Sequence, residues 1–150
     1  ASGLSRIRFH HFAPAFAGSS LPNVAVFREQ LAAFREMLAG AAPTEEQAKD
    51  VDFLLAVGEL FTLVVYAQLV LEGARLQASD VDAATLDQIF DVFVRDFSRH
   101  ALELHAKPAS TPAQAEQALR MIRRPALDRG RFERTWGAVL GLRDAYGMGP

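Results

Sequence analysis

The segment DFLLAVGELFTLVVYAQLVLEG, residues 52–73, decides the fold of this 150-residue chain. Between Phe53 and Leu71 it carries a single charged side chain, that of Glu59. Apolar side chains point in every direction around a helix drawn through the segment, so the sequence predicts no solvent face. Such a helix belongs at the centre of a bundle or in a membrane. A capping-box pattern, Thr44 followed by Gln47, predicts that it covers about residues 45–77.

Amphipathic helices are predicted on both sides of this apolar helix. Pro22 and Gly40 bracket the first of them, since proline favours a first helical position and glycine the position past the end. Thr111 opens another with a second capping-box pattern. The fold class is therefore all-α, a bundle of about five helices around the central apolar one. The four flanking helices are predicted over about residues 22–39, 82–107, 111–124 and 128–146.

A short extended segment is predicted before the bundle, over residues 1–20. Ile7 and Phe9 alternate with polar residues there, which is a period of two, and Pro14 and Gly18 then interrupt any regular element. Residues 21–150 form a single helical domain. The sequence does not begin with Met, so we expect the chain to be processed or to be part of a longer protein.

Composition excludes several classes of function. The chain has no Cys, which removes disulfides, thiol nucleophiles and Cys-based metal sites and is compatible with a cytoplasmic location. Residues 1–119 carry 9 Lys or Arg and 15 Asp or Glu, a net −6, whereas residues 120–150 carry 7 Arg and 3 acidic residues, a net +4. The basic end suits phosphates, an acidic partner or a solvated helix face. The acidic whole argues against nucleic-acid binding.

A membrane span is the alternative for the apolar helix, because Phe53–Leu71 is 19 residues long and about 20 are needed to cross a bilayer. Glu59 lies inside the segment, however, and no cluster of Lys or Arg flanks it. We therefore predict no membrane span. A carboxylate in so apolar a helix needs a partner, so Glu59 is either a general base or ligand contact, or a member of a buried pair or rim position. The pair or rim position is the favoured interpretation.

The remaining polar residues predict no metal site and no catalytic motif. His100 and His105 are too far apart around a helix to share a metal, and Asp96 one turn before His100 predicts a surface ion pair. Arginines crowd the corner between the last two helices. We predict that Arg123 and Arg124 contact the phosphates of a nucleotide-type cofactor or a facing subunit, since clustered Arg suits bidentate contacts. The corner comprises Arg120, Arg123, Arg124, Arg129, Arg131 and Arg134.

Three segments resemble a known family. GELFTLVVYAQLVLEGA (58–74), LDQIFDVFVRDFSRHALELHAKPAST (86–111) and RFERTW (131–136) are similar to the C-terminal helical region of the large bacterial acyl-CoA dehydrogenases. The likeness covers about residues 51–150 and lies in helices and their links, with no catalytic signature. It implies a C-terminal helical scaffold of an FAD flavoprotein that desaturates acyl-CoA thioesters, with contacts to the remaining domains and to further subunits in a homo-oligomer.

The sequence departs from that family in ways that limit the implied activity. It has no β-domain, no segment that matches the flavin-binding motifs and no loop that carries the catalytic glutamate, so no catalytic residue is carried over. The chain alone is expected to have no turnover. The alternative is a stand-alone helical bundle that binds a small apolar ligand or a partner helix. An enclosed apolar cavity would favour this alternative, and a large exposed apolar patch would favour the scaffold.

Overall fold

The computed structural model describes residues 12–76 and 81–145 and confirms the predicted all-α bundle. The predicted alternation of Ile7 and Phe9 with polar residues lies outside the described residues. Within the described ranges the chain forms six α-helices and one 3₁₀ turn, Gln47–Lys49. The helices are α1 (Ala13–Ala17), α2 (Pro22–Gly40), α3 (Val51–Leu76), α4 (Ala83–Ala106), α5 (Pro112–Arg120) and α6 (Arg129–Gly141).

The bundle is assembled on α4, which contacts α2, α3, α5 and α6. Its core is built from phenylalanine rings. Phe27 of α2 is fully buried and contacts four other rings at centroid distances of 5.4–5.9 Å. Most of these contacts are edge-to-face or tilted, an arrangement that aromatic quadrupoles favour. The four rings around Phe27 are Phe16, Phe90, Phe93 and Phe97.

The apolar helix α3 begins later than the sequence predicts. The capping box at Thr44 and Gln47 is formed, with both reciprocal hydrogen bonds present, but the turn that it caps is the separate 3₁₀ turn. Asp50 then caps α3 itself, because its carboxylate accepts from the backbone amides of Asp52 and Phe53 at 3.0 and 3.1 Å. The predicted start near residue 45 is therefore wrong by about one and a half turns.

The predicted starts of α4 and α5 are confirmed, but α5 ends at Arg120, about four residues before its predicted end, and two other boundaries are corrected. The Asp82 and Thr111 side chains cap the first turns of these two helices. Ala13–Ala17 is helical, so the described end of the predicted extended segment is not extended. The last helix stops at Gly141, five residues before the predicted end. Helix α3 is the one described helix long and apolar enough to span a membrane, with a mean hydropathy of 2.0 over its most apolar window.

The two capping boxes of the chain are joined to each other. The side-chain amides of Gln47 and Gln114, both buried, exchange hydrogen bonds of 2.7 and 3.0 Å. Each amide also donates to a backbone carbonyl, Gln47 to that of Ala109 and Gln114 to that of Ala41. The start of α5 is thereby fixed to the turn that precedes α3, although the two segments are far apart in the sequence.

The linker between α5 and α6 has no regular structure, and side chains of α2 and α4 satisfy its backbone. Gln30 donates to the carbonyl of Met121 at 2.9 Å. Ser98 donates to the carbonyl of Arg123 and accepts from its amide, both at 2.9 Å. Asn23 accepts from the amide of Ala126 at 2.7 Å. These bonds define the path of the chain as it approaches α6.

We expect Gln114→Ala to lower the free energy of unfolding by about 1–3 kcal/mol, because it removes both hydrogen bonds with the buried amide of Gln47 and the donor to the carbonyl of Ala41. The matched control is Gln117→Ala in the same helix, where the side chain bonds only to exposed Arg120; its expected effect is within about 0.5 kcal/mol. Urea unfolding followed by circular dichroism measures both. Equal effects would contradict a structural role for the glutamine pair.

Candidate functional site

The predicted arginine corner is divided among several partners. Arg120 pairs with Glu36 of α2 at 2.9 Å, and the Nε of Arg123 contacts Glu29 of the same helix at 3.4 Å. Arg124 is exposed and forms no hydrogen bond or ion pair with any described residue. The two predicted cofactor-contacting residues are thus at the surface, one held against α2 and one free for a further contact. Their cofactor role stays a prediction.

Arg131 belongs to a different environment from the rest of the corner. Its side chain is 6% exposed and forms a buried ion pair with Asp87 of α4. Its second terminal nitrogen lies 3.6 Å from the carboxylate of Asp91 and donates to the carbonyl of Ala126 at 2.9 Å. Arg95 adds a further cation to Asp91 at 2.7 Å. The two buried aspartates are therefore balanced by two guanidinium groups.

Asn23 completes this buried network at the start of α2. Its backbone amide donates to the carboxylate of Asp87 at 2.8 Å, and its fully buried side-chain amide donates to the same residue. Asp87 thus receives hydrogen bonds from α2 and α6 while it sits on α4. Each buried polar group in this cluster has a partner within the chain, so its charged groups are not free to bind a ligand. The cluster therefore acts as a structural junction between helices.

Glu59 is exposed, so one of the two favoured predictions, a buried pair, is wrong. The other, a rim position near the end of the bundle, is not met either, because Glu59 lies in the middle of α3. Its side chain forms no hydrogen bond or ion pair with the described residues. It belongs to a row of exposed side chains on α3, most of them apolar, that we name the outer face of α3. The row comprises Val51, Leu55, Glu59, Thr62, Tyr66, Leu69 and Leu76.

The opposite side of α3 carries the buried stripe that packs into the bundle, made of Phe53, Ala56, Leu60, Val64, Ala67 and Leu71. Only 28% of the most apolar part of the helix is buried. The apolar composition all round the helix therefore serves two surfaces, one inside the bundle and one outside it. On the outer face, the exposed fractions are 62% for Leu55 and 59% for Tyr66 and Leu69, and they rise to 87% at Leu76.

Helix α6 carries the second exposed apolar surface. Arg131 is its only buried residue, and every residue from 136 to 145 is exposed. The rings of Phe132 and Trp136 stack on each other with centroids 6.4 Å apart. We name residues 132–145 the arm. The apolar side chains of the arm are about half exposed and comprise Phe132, Trp136, Val139, Leu140 and Leu142.

The described part of the chain offers open clefts in place of an enclosed apolar cavity. One of about 250 Å³ lies between α1 and α2, with Phe16, Leu31 and two arginines along it. Another, of about 760 Å³, lies beside the first turn of α6. Neither encloses a volume in which an apolar molecule would be buried on most sides, which is what a small-ligand site needs.

The histidines contribute no site within the described ranges. His100 contacts Glu103 at 3.2 Å and Arg99 at 3.1 Å, so the predicted pair with Asp96 is wrong. His105 bonds to the backbone carbonyl of Ala115. Residues 12–76 and 81–145 contain no cluster of three or more His, Asp or Glu residues placed to hold a metal ion.

Searches against protein-family models, curated proteins and solved structures found no match to this chain. The candidate functional surfaces are therefore defined by the structure alone, and they are the outer face of α3 and the arm. Neither was predicted as a site. The apolar stripe of the arm is visible in the sequence, but its exposure is not, because the stripe of a packed amphipathic helix has the same spacing.

We expect Arg131→Met to lower the free energy of unfolding by about 3–5 kcal/mol, because it leaves the buried carboxylate of Asp87 without its cation. The control is Arg129→Met in the same helix turn, an exposed residue paired with Glu133, for which about 0.5 kcal/mol or less is expected. Chemical denaturation measures both variants. Addition of Asp87→Asn to Arg131→Met should recover part of the loss, and no recovery would contradict a charge effect.

Acid should weaken the caps of α4 and α6. The amide of Thr85 donates to Asp82 at 2.6 Å and that of Arg131 to Asp128 at 2.9 Å, and these bonds lower the pKa of both carboxyls. The stabilisation is present above the unfolded value of about 3.9 and is lost as pH falls through the lower folded value. Asp82→Asn keeps a capping oxygen that does not titrate. Its stability should decline less than that of the wild type between neutral pH and pH values below about 4. An equal decline would contradict the effect.

Proposed function

We propose that the chain is the C-terminal helical domain of an acyl-CoA dehydrogenase-like FAD flavoprotein and serves as a scaffold and assembly domain. The observation that carries the proposal is the pair of exposed apolar surfaces, the outer face of α3 and the arm. A monomer rarely exposes so much contiguous apolar surface unless another surface covers it. Both surfaces lie within residues 51–150, the range that resembles the dehydrogenase family.

The open clefts support the same proposal. A stand-alone module for a small apolar ligand would enclose its ligand, and the clefts beside α1 and α6 are open to solvent. In the proposed role the acyl-CoA and the FAD bind to the complete enzyme, which is cytoplasmic and does not span a membrane. Arg123 and Arg124 are the residues of this chain proposed to contact the cofactor or a neighbouring subunit. The chain alone has no turnover.

The test compares the isolated chain with the protein purified from its source. We expect the source protein to be longer than 150 residues, to show the visible absorbance of a flavin and to reduce an artificial electron acceptor when given an acyl-CoA. The isolated chain should do neither. Arg124→Glu in the complete enzyme should weaken flavin retention, with Arg35→Glu as the matched surface control, since Arg35 is an exposed arginine of α2.

Two outcomes would overturn the proposal. Acyl-CoA oxidation by the isolated chain would show that it carries its own active site. A source protein of the same length as this chain and without flavin would favour the alternative, a free-standing module whose exposed apolar surfaces bind a partner helix.

A further inference from the structure

The arm is firmly held at its base and uncovered beyond it. Asp128 caps the first turn of α6, and Arg131 is bound in the buried network with Asp87. From residue 136 onward every residue is exposed. The base therefore directs the arm away from the bundle, while nothing in the described part of the chain covers its apolar side.

A short helix whose apolar side is exposed to water has little free energy of its own to keep it folded. Isolated helices shorter than about 12–15 residues are marginal in water, and α6 has 13. Gly137 and Gly141 each lower helix propensity by roughly 1 kcal/mol relative to Ala. A methyl group added at either glycine would meet no atom within 4 Å in the chain itself, so this side of the arm is also open to a close neighbour. The arm needs a contact surface to be stable.

The outer face of α3 has the properties that such a contact surface requires. Helix α3 has 26 residues and is about 39 Å long at 1.5 Å per residue, and its outer face is apolar apart from Glu59 and Thr62 near the middle. The arm, at about 20 Å for its helix, covers roughly half of that length. In the half of α3 that contains Glu59, Leu55 and Tyr66 are apolar residues of the outer face on either side of it.

One charge pair is available between the two surfaces. The side chain of Glu59 has no cation in the described part of its own chain, and Arg143 of the arm contacts only the adjacent exposed Asp144. Arg143 of one copy is therefore free to pair with Glu59 of another. The arm as a whole carries two arginines and two acidic residues, a net charge of zero, so its contact depends mainly on its apolar side chains.

We propose that two copies of this chain exchange arms, so that the arm of each copy packs on the outer face of α3 of the other near Leu55, Glu59 and Tyr66. The exchange is reciprocal and closes with two-fold symmetry, which leaves no unpaired arm from which a filament could grow. The five half-exposed apolar side chains of the arm each offer about 100 Å² of surface, so a partner that covers them all buries on the order of 500 Å² of each arm. Two arms and two faces bury on the order of 2,000 Å², the size of a stable interface.

This inference rests on the proposed assembly role, for which it supplies the partner, and its test needs neither flavin nor acyl-CoA. Sedimentation equilibrium of the isolated chain should give twice the chain mass of 16.4 kDa. Trp136→Glu on the arm and Leu55→Glu on the outer face should each weaken dimerisation by about 30-fold or more, as loss of an interface anchor does. Leu102→Glu is the matched control, since Leu102 of α4 is as exposed as Trp136 but lies outside both surfaces.

Mixing the two defective variants distinguishes arm exchange from other dimers. A Trp136→Glu chain keeps an intact outer face and a Leu55→Glu chain keeps an intact arm, so their heterodimer restores one of the two contacts. We expect the mixture to dimerise more tightly than either variant alone. Circular dichroism of each variant should keep the helical signal of α1 to α5, because both positions are exposed, and any loss should be limited to the short α6.

Several outcomes would overturn the inference. A monomeric wild-type chain would exclude the dimer without bearing on the flavin and acyl-CoA assays of the complete enzyme. A dimer that tolerates Leu55→Glu would indicate arm-to-arm contact, and one that tolerates Trp136→Glu would indicate contact between the α3 faces. A chain that stays monomeric but floats with phosphatidylcholine vesicles would assign the outer face to lipid. Equal weakening by Leu102→Glu would assign the effects to charge at any exposed apolar position.

Discussion

The carboxylate of Asp87 is the interaction on which the arrangement of the helices depends. It is buried on α4, receives hydrogen bonds from Asn23 at the start of α2 and pairs with Arg131 at the start of α6. Removal of a carboxylate from water is costly, and only the combination of donors from two other helices offsets that cost. The Asp87 cluster thus couples three helices through one group that none of them could bury alone.

The phenylalanine core and the Asp87 cluster have complementary roles in the bundle. The rings around Phe27 supply the apolar burial that drives α2 against α4. Apolar contacts are tolerant of small rotations, whereas a buried ion pair with fixed donors is not. The aromatic core therefore provides most of the driving force, and the polar cluster determines the direction in which α6 leaves the bundle.

The sequence was sufficient for the features that depend on local chemistry. Asp82 and Thr111 cap the helices that they were predicted to start, because a cap acts on amides two or three residues away. At Thr44 the capping pattern was predicted correctly, but it caps a separate 3₁₀ turn and not the long helix that was predicted to follow. Asp87 and Arg131 are 44 residues apart, and no periodic signal links them. From the sequence it was clear that α3 is apolar on all sides. Which side packs into the bundle and which stays exposed could not be predicted from that composition.

The linker between α5 and α6 sets a limit on how the chain can vary in length. Its amides and carbonyls bond to side chains of Asn23, Gln30 and Ser98 at fixed positions along two helices, much as a strand bonds to its neighbour. An inserted residue would shift every later backbone group past its partner and would rotate the entry into α6. Relatives of this protein should therefore differ in length at the exposed turn after α2 and keep a constant residue count between Met121 and Asp128.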